Sequence, residues 1–116
     1  MAERRTAILQ YSPEQQVELY LKAMLEEHPP DLALADAVAS NGAKIVSPLA
    51  QRLVEDDRDL AKLHVFDVFL RMQELGYYAV ASDAKIMELL AQQVVNMKDP
   101  QWKEMSNDLL DKIRAK

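Results

Sequence analysis

"RDLAKLHVFDVFLRMQELG", residues 58–76, is the stretch on which the fold turns. Leu63, Phe66 and Leu70 recur at helical spacing, and Val65, Val68, Phe69 and Met72 make a second apolar line beside them. With about 3.6 residues per turn, the two lines cover most of a helix's circumference. A helix that is apolar nearly all round is buried on nearly all sides. The pattern therefore predicts the central helix of an all-α domain. Asp57 is placed to cap it, and Gly76 can close it in a left-handed turn.

The rest of the chain reads as about five further helices around this one. "SPEQQVELYLKAMLEEHPP" (12–30) carries Ser12 as N-cap, Pro13 at the first helical position and Gln15 three residues past the cap. Its stripe is Val17, Tyr20, Leu21, Met24 and Leu25, and Pro29 and Pro30 stop it. "DLALADAVAS" (31–40) follows, with Asp31 as cap and Asn41-Gly42 as its stop. "AKIVSPLAQRLVEDD" (43–57) has two readings: Lys44 starts the helix with Pro48 in its first turn, or Ser47 caps it. "SDAKIMELLAQQVVNMK" (82–98) is capped by Ser82 and turns Ile86, Leu89, Leu90, Val94 and Met97 inward. In "DPQWKEMSNDLLDKIRAK" (99–116) Asp99 caps, Pro100 takes the first position, and Trp102, Met105, Leu109 and Ile113 form the stripe. No segment alternates as a half-buried strand would.

Ser12, Ser47 and Ser82 stand at equal intervals, in the range of helix–turn–helix repeats. The middle pair, "IVSPLAQRLVEDDRDLAKLHVFDVFLRM" (45–72), resembles a HEAT repeat in Pro48, Leu49 and Leu53, in the acidic turn Asp56-Asp57, and in Arg58. It departs from that pattern in having Leu60 and Lys62 where a valine–arginine pair is usual. The resemblance implies a curved face that binds other proteins, and it carries over no catalytic residues. The expected architecture is all-α, with three antiparallel helix pairs in a HEAT-like stack or compact helical bundle. Residues 1–11 are read as an N-terminal extension, and residues 12–116 as a single helical domain.

Composition limits the chemistry. The chain has 116 residues, 49% of them apolar and 28% charged, which suits a globular domain with its own core. With no cysteine, it has no disulfide framework, thiolate metal site or cysteine nucleophile. It has two glycines, too few for a phosphate-cradling loop. No apolar run reaches the ~20 residues of a membrane span. The expected setting is cytoplasmic, without a membrane partner.

The net charge of −5 is concentrated in the first third, where Lys22 faces Glu14, Glu18, Glu26, Glu27, Asp31 and Asp36. That sign disfavours nucleic acid as a partner. The basic residues Lys98, Lys103, Lys112, Arg114 and Lys116 are matched by acids and read as a mixed solvated face. His28 follows Glu26 and Glu27, but adjacent helical residues point about 100° apart, so the three do not converge on a metal. Neither a Glu-x-x-His motif nor a nucleophile motif occurs.

The sequence thus reads as a non-enzymatic protein-interaction module without cofactor or metal. Its candidate partner-binding residues are Glu14, Glu18, Glu26 and Glu27, with Tyr77 and Tyr78. One of the two tyrosines is expected to pack behind Gly76 and the other to stay half exposed. The alternatives are a nucleic-acid-binding helical repeat and a small enzyme, and a pocket holding His64 with Asp67 would reopen the latter. Self-association can coexist with the interaction-module reading, because the apolar 31–40 helix needs Met1–Tyr11 or another copy as a cover if it lies at an end of a stack.

Overall fold

The Ser12 hydroxyl accepts from the Gln15 main-chain N–H at 3.2 Å while the Gln15 side chain reaches back to the Ser12 N–H. This reciprocal cap, with Pro13 behind it, starts helix α1, Pro13–Glu26. A computed structural model describes residues 6–115; residues 1–5 and Lys116, the last of the basic residues noted above, lie outside the described part. The other α-helices are α2 (Leu34–Ala39), α3 (Ala43–Glu55), α4 (Asp59–Leu75), α5 (Ala84–Asn96) and α6 (Pro100–Arg114). A 3₁₀ turn, Val80–Ser82, joins α4 to α5. The protein is all-helical, with no strand among the described residues. None of its helices is long and apolar enough to cross a membrane, among the described residues.

Helix α4 is the spine that its sequence predicts. Val65, Phe66, Val68, Phe69 and Met72 are all buried, and they point in several directions around the axis. The helix packs against α1, α2, α3 and α6. Contacts run in two series, α1–α3–α5 and α2–α4–α6, with each odd helix also touching the even helix that follows it. The core continues from Ile8, in a helical turn at 6–8, through to Ile113. The radius of gyration is 13.0 Å, close to the ~13 Å of a compact chain of this length.

Polar side chains fasten the helices at defined points. Arg71 on α4 grips Asp36 on α2 through two N–H groups, at 2.5 and 3.0 Å. Asp59, at the start of α4, accepts from the main-chain N–H groups of Lys98 and Asp99, both at 2.7 Å. This holds the α5–α6 turn against α4. Lys62 donates to the buried Gln93 of α5 at 2.7 Å.

Several boundaries differ from the sequence expectation, each for a local reason. Asp31 does not cap α2: its carbonyl accepts from Leu34 in a turn, and the N-cap is Ala33, without a side-chain bond. Helix α3 begins at Ala43, so Ser47 is interior and Pro48 lies beyond the first turn. The proline leaves the Lys44 carbonyl without its helical donor, and Lys44 is exposed, so water can reach it. Asp57 does not cap α4. Arg58 holds that position, and the Asp56 carboxylate takes the Arg58 N–H at 2.9 Å. Ser82 is consumed by the 3₁₀ turn, so the Asp83 carboxylate caps α5 by accepting from Ile86 at 3.1 Å.

Two packing expectations also change. The buried line of α6 is Ser106, Leu110 and Ile113, whereas Met105 is exposed and Trp102 and Leu109 are half-buried. The helix is rotated by about one residue from the expected stripe. At the α4–α5 corner neither tyrosine is fully buried: Tyr77 is 46% exposed and Tyr78 half-buried. Tyr78 packs against the core as a partly buried ring, and Val80, two residues on, is the fully buried side chain of this corner.

Candidate functional site

The four candidate glutamates, three in α1 and Glu27 at its C-cap, do not share one surface. Glu14 and Glu18 are one turn apart and face α3, beside Pro48, Gln51 and Glu55. Glu18 is already engaged by Arg52, which also pairs with Asp56 at 3.3 Å. Hydrogen bonds from Arg58 hold the Asp56 carboxyl well below the usual carboxylate range. This corner is a charged latch between α1 and the end of α3. Glu26 and Glu27 lie two turns further along. At about 100° per residue, Glu26 stands ~80° round the axis from Glu18, and Glu27 is the extended C-cap beyond the helix.

Glu26 and Glu27 instead border a groove of about 410 Å³ at the far end of α1. Its apolar walls are Ile8 and Tyr11 from the N-terminal turn, Leu19 and Ala23 from α1, and Leu34 from α2. Lys22 is the cation on its border. The last turn of α1 has no basic side chain, so the partial negative charge of the helix's C-terminal carbonyls adds to that of the glutamates.

Tyr77 and Tyr78 do not join the acidic residues. The Tyr77 carbonyl lies so close to Gly42 that a Cβ there would meet it at 2.9 Å. The Tyr78 hydroxyl donates to Asp83 at 2.6 Å, which lowers the Asp83 pKa and raises that of the phenol. Tyr78 therefore braces the cap of α5, and Tyr77 keeps the exposed ring of the pair.

A second groove, of about 290 Å³, opens between α4 and α6. Its apolar surface comes from Leu63, Leu109, Met105 and the exposed Leu32. His64 and Asp67 reach it from α4, and Asp108 and Lys112 from α6. The pocket that would reopen the enzyme alternative is thus present. Burial lowers the His64 pKa, favouring neutral imidazole. Burial also raises the Asp67 pKa; Asp36 and Glu74 push it the same way, and Arg71 and Lys112 oppose them. No hydroxyl or thiol belongs to the lining, and no hydrogen bond joins His64 to Asp67 among the described residues. This arrangement can bind and orient charge. His64 and Asp67 are the pair that the sequence singles out; Asp108 and Lys112 join them in the lining, and the one sequence signal for these two is their one-turn spacing on α6.

Among the described residues, no group of three or more His, Asp or Glu side chains is placed to hold a metal ion. No protein-family model matches the chain, and no curated protein or solved structure matches it significantly.

Proposed function

We propose that the chain is a non-enzymatic protein-binding helical module, and that the groove at the C-terminal end of α1 takes a basic amphipathic segment of a partner protein. One observation carries this reading: an apolar groove bordered by Glu26 and Glu27 at a helix end whose last turn has no basic side chain. Apolar walls supply contact area, and the surrounding charge selects a cationic partner and speeds its approach. The alternating contacts α1–α3–α5 and α2–α4–α6 support treating the helix pairs as HEAT-like units. The cytoplasmic setting expected from the sequence belongs to the same proposal.

The test is fluorescence anisotropy with a labelled Lys/Leu amphipathic helical peptide and a twin in which every lysine is glutamate. The basic peptide is expected to bind, with an affinity that falls as salt rises. Reversing both Glu26 and Glu27 to lysine should weaken it by roughly tenfold or more while the circular dichroism spectrum stays helical. Reversing Glu18 should lower stability, through loss of Arg52, and leave capture largely intact. Equal binding of the acidic twin, or no effect of the double reversal, rejects the reading.

A further inference from the structure

Asp67 is a half-buried carboxylate without an ion pair among the described residues. It projects from the central helix into the α4–α6 groove, half-buried against Leu63 and Leu109. Among the described residues no hydrogen bond reaches its carboxylate. Arg71, the cation one turn along, is committed elsewhere: it holds Asp36 at 2.5 and 3.0 Å and lies 3.7 Å from Glu74. Lys112 is the remaining positive side chain of the groove, and Asp108, one turn before it on α6, is a second carboxylate. His64 completes the polar side as a neutral ring. The groove therefore pairs an apolar wall with two carboxylates and one cation. At about 290 Å³ it lies at the lower end of the size range of small-molecule sites.

We infer that the α4–α6 groove is a binding site for a small organic amine with an apolar body, its ammonium held by Asp67 and Asp108 and its body against Leu63, Leu109 and Met105. An ammonium donates up to three hydrogen bonds and brings the charge that Asp67 lacks. An uncharged molecule of the same shape would leave the carboxylates as they are, and an anion would be repelled. The site is separate from the α1 groove and does not depend on it.

The experiment is an NMR titration of the ¹⁵N-labelled protein at neutral pH with phenethylamine, with 2-phenylethanol as the uncharged counterpart and 3-phenylpropionate as the anion. Phenethylamine is expected to give saturable shifts in α4 around residues 63–67 and in α6 around residues 105–112. The alcohol should bind roughly tenfold more weakly or worse, and the propionate should not bind. Asp67→Asn should weaken phenethylamine binding by a similar factor while its spectrum stays dispersed, and Glu26→Gln should leave it unchanged. Shifts that do not saturate, shifts that lie elsewhere, equal binding of the alcohol, or full binding by Asp67→Asn would each overturn the assignment. Because the readings use wild-type protein and a distant control, none depends on the peptide affinity of the α1 groove.

Discussion

The hydroxyl of Tyr20, on α1, donates a 2.9 Å hydrogen bond to the main-chain carbonyl of His64, on α4, and their rings meet edge to face with centroids 6.4 Å apart. Tyr20 is fully buried, so this bond fixes the register of the first helix against the central one inside the core. Tyr20→Phe keeps the ring and removes the bond. It should cost about 0.5–1.5 kcal/mol and lower the melting temperature by a few degrees.

The same phenol sets an alkaline limit. Burial, with Asp67 and Asp36 nearby, raises the Tyr20 pKa well above its ordinary value. The folded protein holds a proton that the unfolded chain releases at lower pH, so this contribution is complete below about pH 10 and is lost as pH rises beyond it. Thermal melts between pH 9 and 11 should show wild-type stability falling more steeply than that of Tyr20→Phe. Parallel curves would mean that Tyr20 does not carry the effect.

The chain's two glycines should differ sharply in tolerance. Gly42 has φ +61° and ψ −134°, and an added Cβ would meet the Tyr77 carbonyl at 2.9 Å. Gly76 has φ +80° with nothing within 4 Å of such a Cβ. Gly76→Ala should cost about 1 kcal/mol, for the left-handed backbone alone. Gly42→Ala should cost roughly 2 kcal/mol or more, since its backbone region is nearly glycine-only and the carbonyl must also move. Denaturant midpoints of the two variants, compared side by side, check the ordering.

Ser106 is the one buried side chain among the described residues whose polar atom lacks a hydrogen-bond partner. It lies on the buried line of α6 at 0% exposure. A hydroxyl left unpaired in an apolar interior is unfavourable, and alanine is a better helix former than serine. Ser106→Ala should therefore raise stability, by up to about 1 kcal/mol. A drop in the denaturation midpoint would show that the hydroxyl has a partner in solution.

Asp67→Asn should stabilise the protein at neutral pH while weakening amine binding by roughly tenfold. Burial comes first among the causes that raise the Asp67 pKa, so the fold favours the protonated acid. The associated stability is complete below about pH 4 and is lost as pH rises through the shifted value. The variant's advantage in melting temperature should be clear at pH 7 and shrink towards pH 4. Both proteins carry His64, whose lowered pKa makes stability fall as pH drops below its ordinary range; comparing them therefore isolates Asp67.

Much of the fold was readable one helix at a time. The caps Ser12 and Asp99 and the stop at Gly76 work through bonds within a few residues of themselves, so local spacing suffices to find them. The burial of α4 was readable for a different reason: a helix apolar on every side has no solvent face to choose. Choices between adjacent residues were less legible. Asp83 caps α5 because a 3₁₀ turn takes up Ser82, and Val80 rather than either tyrosine is fully buried at this corner. The face that α6 buries was misjudged by one residue, because Leu109 and Leu110 are equally apolar and only packing against α4, α5 and the 3₁₀ turn selects Leu110.

By itself, the amino-acid order determined that this chain is helical, roughly where each helix begins and ends, and which helix is central. Periodicity and capping act over a turn or two, and those distances are written along the chain. Only the tertiary structure decided that Glu18 spends its charge on Arg52, that Glu26 and Glu27 border an apolar groove, and that Asp67, Asp108 and Lys112 line one groove. Each of these relations depends on the rotation of one packed helix against another, which the whole core sets at once.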